Sequence, residues 1–245
     1  MKSYIYDGSF DGLLTAIYEA YYRGEKPNSI LAKQDVQENL FVENIFIPTD
    51  VEKAQKVYNS IGTKISNTAL SNVFYCFLSD LEDAGTLIFE YLQFGWKIGK
   101  DIDKYIADDR VLKIHKLKQK VTFEGHRMLG LVRFSQLSGD IYYAAIEPQY
   151  QIVGILASHF SKRLSDQHWI IHDVQRGMGA FYDKKDWVMK EIDMNPIQTI
   201  NEEEIEVQRL WREYYKSIAI KNRINPRLQR RNMPARYWKY LVEKQ

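Results

Sequence analysis

Cysteine is almost absent. Of 245 residues only Cys76 is one, which excludes an internal disulfide and any all-cysteine zinc or iron–sulfur site built by this chain alone. No apolar run approaches the roughly 18 residues that a membrane span needs. The opening MKSYIYDGSFDG has no apolar core of the secretory kind. Glycine-rich phosphate loops are missing, and Ser9, Ser158 and Ser161 stand in no GxSxG-like elbow, so neither a nucleotide-binding fingerprint nor a serine hydrolase is indicated. What is present is ordinary for a soluble globular protein: 45% hydrophobic and 27% charged residues, enough for one large core or two smaller ones. Cytoplasm is the expected compartment, with no membrane partner.

The net charge of +2 conceals an asymmetry. Lys221–Gln245 holds eight Lys/Arg and one Glu, so that segment carries +7 and the remainder −5. A basic tail on a slightly acidic body points to an anionic partner for the tail.

Read in order, Tyr4–Tyr6 is a strand and Asp7-Gly8 a turn. Ser9 then N-caps a helix with Leu13, Leu14, Ile17, Tyr18 and Tyr21 on one face and Gly24 near its end. Free amides at such a start could cradle a phosphate. Asp7 and Asp11 beside them would repel it, so capping is the expected role. Leu40–Ile47 reads as a strand stopped by Pro48. Helices follow from Thr49 or Asp50 to Gly62, from near Ser66, and from Asp83 to Trp96. Cys76, among aromatics in the helix after Ser66, is expected to be an inert core thiol. Asp103–Glu124 predicts an amphipathic helix with Lys113, Lys116, Lys118 and Lys120 on its wet face, either solvated or tracking phosphates.

From Met128 the hydrophobic period changes. MLGLVRFSQL and DIYYAAIE predict two strands joined by a Ser138-Gly139 hairpin turn. Pro148 can open a helix over 149–164. His168–Val174, Gly179–Tyr182 and Trp187–Ile192 predict a three-stranded meander. Asn201 caps a long helix whose first turn is Glu202-Glu203-Glu204 and whose apolar stripe is Val207, Leu210, Trp211, Tyr214 and Ile218. The fold class is therefore α+β. It comprises a mainly helical scaffold over 1–125, an antiparallel sheet of about five strands with a packed helix over 126–200, and a helix with an arginine-rich tail over 201–245.

The stretch around Met128–Arg176 concentrates imidazoles and guanidiniums within an apolar pattern, where they need partners. His126, His159, His172 and Asp173 are the candidate catalytic groups, since histidine and carboxylate can move protons near neutral pH or bind metal. Their spacing matches no local metal motif, so no metal site or cofactor is expected. His172 and Asp173 point to opposite faces of one strand and are poor direct acid–base partners. Histidines hydrogen-bonded in the sheet–helix interface are the competing reading. Arg127, Arg133, Arg163 and Arg176, with Arg227, Arg230, Arg231 and Arg236 of the tail, are the candidate phosphate contacts. Tyr237 and Trp238 are the candidate base-stacking rings. The competing reading has the arginines pairing with acids of the body.

Five stretches in order, YDGSFDGLLTAIYEAY, HRMLGLVRF, HFSKR, WIIHDVQR and NPRLQRRNMPARYWKYL, resemble a bacterial family of uncharacterised "probable DNA metabolism" proteins across essentially the whole chain. The resemblance implies one family-defined unit over 1–245. In that family the domain stands beside a radical SAM protein assigned to DNA repair or modification, or is fused to a uracil-DNA-glycosylase-like domain. Its motifs fall here on Asp7, Gly8, Phe10 and Gly12; on His126, Arg127, Gly130, Arg133 and Phe134; on His159, Phe160 and Arg163; on His172, Asp173 and Arg176; and on Asn225, Pro226, Arg227, Gln229, Arg230, Met233, Pro234, Arg236, Tyr237 and Trp238. It implies a DNA setting and a radical SAM partner, but no catalytic residue. The expected function is a DNA-binding accessory protein of a repair or base-modification system. The alternatives are an enzyme acting on damaged or modified nucleotides with His126, His159 and His172 as acid–base or metal groups, and a protein–protein adaptor without DNA affinity.

Overall fold

The first strand, β1 (Lys2–Tyr6), is buried continuously from Ser3 to Tyr6, as the central strand of a covered parallel sheet must be. It pairs in parallel with β2 (Ser29–Ala32) on one side and β3 (Glu43–Phe46) on the other. The strands expected at Tyr4–Tyr6 and within Leu40–Ile47 correspond to β1 and β3, whereas β2, whose SILA is too short a run to announce itself, has no counterpart among the expected elements. The structure is a computed structural model that describes residues 2–24, 26–36, 40–137, 140–192 and 202–245. They fall into two compact units, Met1–Thr122 and Phe123–Gln245.

In the first unit, helices start where the caps are. Ser9 accepts from the Gly12 amide at 2.9 Å to open α1 (Phe10–Tyr22). Asp50 accepts from the Lys53 amide at 3.1 Å to open α2 (Val51–Ser60). Ser66 does the same for Ala69 in α3 (Asn67–Phe77). The expected stop at Gly62 is instead a π-helical turn, Ile61–Ile65, whose wider register sends both Ile61 and Ile65 into the core. Then come α4 (Ala84–Ile98) and α5 (Asp109–Leu129). Leu13, Ile17, Ile30, Val73, Ile88, Leu92 and Ile114 share one core. Cys76 lies inside it, and burial pushes its thiol up to about 12, which leaves it inert.

The second unit holds a five-stranded sheet in the order β4-β5-β6-β7-β8. Its strands are β4 (Ser135–Leu137), β5 (Ile141–Ile146), β6 (His168–Asp173), β7 (Met178–Tyr182) and β8 (Trp187–Glu191). The meander β6-β7-β8 is antiparallel as expected, and so is β4-β5. The sheet is nevertheless mixed, because β5 and β6 run parallel. The physical reason is α6 (Val153–Arg163), which lies between them as a crossover and so returns the chain in the same direction. Pro148 precedes that helix by five residues and does not open it.

The strand expected from Met128 shrinks to Ser135–Leu137. Met128 is buried in the last turn of α5, and buried Val132, three residues past the helix, donates its amide to Met128 O at 3.0 Å. The Ser138-Gly139 turn and the Asn201 cap lie outside the described residues. One sheet face packs on α6: Trp169, Ile171 and Ala180 are buried with Leu156, Ala157 and Phe160, and Trp169 stacks on Tyr182 at 5.0 Å. Beyond the sheet are α7 (Glu202–Ser217) and α8 (Pro226–Asn232). No described helix is long and apolar enough to cross a membrane.

Candidate nucleic-acid interface

Glu124 organises much of this region. It is 2% exposed and accepts from the amides of Gln149 at 3.0 Å and Tyr150 at 2.9 Å. It also accepts from Arg236 Nη2 at 3.1 Å and from the hydroxyl of buried Tyr237. Burial and the carboxylate beside it push the Tyr237 phenol up to about 12, so it stays a donor. The same 148–150 segment is held from its other side by Arg176, which donates to the carbonyls of Pro148 at 3.1 Å and Gln149 at 2.9 Å. Two arginines and one carboxylate therefore fix a loop and fasten the C-terminal segment to it.

The other tail contacts are of the same kind. Lys239 and the Tyr240 hydroxyl both donate to Glu147 at 2.6 Å. Arg133 forks onto Glu243, 2.7 Å at its shorter arm. Burial works to raise the Glu243 carboxyl, but the bonds from Arg133 and Trp211 outweigh it and hold it below the usual range.

HDVQRG is a hairpin turn between β6 and β7. The buried Asp173 carboxylate accepts from the amides of Gln175 and Arg176 and from Arg176 Nη1 at 2.8 Å. Gly177 supplies the positive φ of +62° that the turn requires. Burial raises the Asp173 carboxyl against the pull of Arg176. His172 faces the other way, as its place in the strand dictates. Its Nδ1 meets the Tyr143 hydroxyl at 2.7 Å, while its buried Nε2 has no partner among the described residues. Burial lowers its pKa, with Asp173 opposing, so the ring is held neutral.

The candidate residues thus separate into two groups. Arg133, Arg176 and Arg236 are bound to internal carboxylates. Tyr237 is 3% exposed, which closes its ring to a base. Trp238 is half-buried, with its indole N–H on Met233 O and Lys244 over its ring at 4.7 Å. The other group stays in solvent. Arg227, Arg230 and Arg231 on α8 and Arg223 just before it are exposed, and their side chains make no hydrogen bond or ion pair among the described residues. Asn225 caps that helix through the Leu228 amide at 3.0 Å, with Pro226 as its first residue. Residues 227, 230 and 231 follow helical spacing, so the three guanidiniums share a side.

Arg127, from the end of α5, lies over the Phe123 ring at 4.4 Å and donates to Arg231 O at 3.1 Å, which brings it alongside α8. Arg163 is exposed at the end of α6. His126 is exposed on α5, and His159 is half-buried edge-to-face with Phe160. Among the described residues, His, Cys, Asp and Glu form no group of three that could hold a metal ion, so these histidines and Asp173 do not converge as ligands.

Two features have no signature in the sequence. By its pattern Glu124 is the last residue of an amphipathic helix, and only its neighbours in space reveal its role. In the first unit, Asp103 Oδ1 gathers Asn72 at 2.8 Å, Tyr91 at 2.9 Å and His115 at 2.8 Å, and Lys118 joins through Asn72 at 2.8 Å. Lys118, expected on the wet face, is thereby spent internally.

The sequence pattern of DUF4130, a domain of unknown function, matches residues 82–243. The chain belongs to the DUF4130 family. The DUF4130 match takes in α4, α5 and every element of the second unit. It therefore includes both the Glu124 hub and the exposed arginines of α8. No curated protein matches the chain.

Proposed function

We propose that this DUF4130 protein is a DNA-binding accessory component of a repair or base-modification system, with α8 and its approach as the phosphate-contacting element. The supporting observation is the set Arg223, Arg227, Arg230 and Arg231, exposed and with side chains that make no hydrogen bond or ion pair among the described residues, while Arg133, Arg236 and Lys239 are all neutralised. Guanidinium forks left in water on one short helix are suited to phosphate oxygens, and they carry no sequence preference of their own. Arg127 and Arg163 extend the same chemistry. The radical SAM partner rests on the family resemblance alone.

Binding of a short DNA duplex should weaken linearly in log–log terms as salt rises. Replacing all four arginines by alanine should reduce that slope by roughly three to four, at about 0.9 per phosphate neutralised. All four are exposed, so the variant should keep its fold. An unchanged slope, or a wild-type protein that does not bind DNA, rejects the reading.

A further inference from the structure

We infer that the first unit carries a separate nucleotide-binding cleft, in which an aromatic base lies against Tyr21, Tyr22 and Trp96 and its phosphate is met by Lys56 and Lys64. The cleft has a volume of about 120 Å³. It is walled by the last turns of α1, by α2 and by α4. Tyr18, Tyr21 and Tyr22 recur at helical spacing on α1. Tyr18 and Tyr22 lie 4.3 Å apart between ring centroids, and Tyr21 meets the Trp96 indole edge-on at 5.0 Å. Trp96 is fixed by its bond to Ser60 Oγ at 3.1 Å.

Such rings would ordinarily be drawn into a core, yet Tyr21 is 53% and Tyr22 70% exposed. Exposed aromatic rings that line a concave site are where a further flat ring can stack. Charge then selects among flat or apolar ligands. Lys56 and Lys64 are exposed at the rim and make no ion pair among the described residues. Glu52, one helical turn before Lys56 on α2, makes no ion pair with it among the described residues, and Glu19 and Asp50 are already held by Arg23 and Lys53. Two free ammonium groups repel a cationic guest and favour an anionic one, and a base with its phosphate satisfies both features at once. Lys64 owes its place to the π-helical turn Ile61–Ile65, a rare geometry that recurs at functional sites.

This cleft does not depend on the α8 reading, since every residue named belongs to the first unit. The test is therefore run on the intact protein with the four α8 arginines replaced by alanine. Thymidine 5′-monophosphate should show saturation transfer from protein to its base protons. K56E/K64E should weaken it by about tenfold or more, a change worth 1.4 kcal/mol per decade, while scarcely affecting uncharged thymidine. Tyr22→Ala should weaken both compounds. A thymidine dodecamer that binds at least tenfold tighter than the mononucleotide, and loses that gain in Tyr22→Ala, identifies a single strand as the ligand; equal affinities identify a free nucleotide. No saturation transfer at millimolar nucleotide, an affinity indifferent to K56E/K64E, or binding of a proline-rich peptide instead would overturn the assignment. The α8 proposal would be untouched by any of these.

Discussion

Removing the Glu124 carboxylate would leave two amides, a phenol and a guanidinium short of their acceptor in one step. Glu124→Ala should therefore cost about 3 kcal/mol or more, far beyond a surface change. Urea denaturation followed by far-UV circular dichroism measures it, and a loss below about 1 kcal/mol would mean that water replaces the carboxylate. The burial of His172 makes a separate statement about pH. Its proton affinity is lower in the folded chain than the ordinary value of 6.5, so the unfolded chain takes up the proton first as pH falls. Its contribution to stability is present above about 6.5 and is lost as pH drops through the lower folded value. His172→Gln should flatten the stability profile between neutral and mildly acid pH, and an unaltered profile would show that the ring titrates freely. Neither role was legible in the chain, because the partners are remote: Arg236 reaches Glu124 across 112 residues. The motif around Asp7 was more legible. Asp7 binds the Ser9 amide and hydroxyl and Thr49 Oγ1, and a Cβ on Gly12 would stand 2.1 Å from its Oδ1. The capping reading and the need for glycine there share one local cause.

Helix starts were readable for the same reason, since a cap acts on residues within one turn of itself. Ser9, Asp50 and Ser66 each fulfil that role. Strand direction was not, because a crossover helix and a hairpin loop leave the same alternation in the strands they join. The apolar pattern of α7 misleads in another way. Val207, Leu210, Tyr214 and Ile218 have the spacing of a buried stripe yet are each more than half exposed, while the body-facing side carries Glu204 and Gln208. Leu210→Glu on α7 should change stability by less than about 0.5 kcal/mol, whereas Leu156→Ala on α6, fully buried, should cost about 2–5 kcal/mol. Thermal melts of the two variants side by side check this, and a comparable loss in both would place α7 against a partner surface within the molecule.

The family pattern and the physical units of the whole chain do not coincide. The match begins at Glu82, inside the first unit. A fragment over 82–243 would keep α4 but lose α1, β2 and α3, on which Leu87, Ile88, Tyr91 and Leu92 are packed. It should bind a hydrophobic dye and exchange its α4 amides rapidly, while amides of β6 and β7 stay protected as in the full chain. Hydrogen exchange read by mass spectrometry decides, and protection of α4 in the fragment would mean that the matched segment folds by itself.

One buried carboxylate that serves donors from two distant stretches also constrains how the family can change. A relative that loses the acid at position 124 has no reason to keep an arginine at 236 or a tyrosine at 237, and one that loses those has a stranded charge to remove. Substitutions at the three positions should therefore travel together down the lineage.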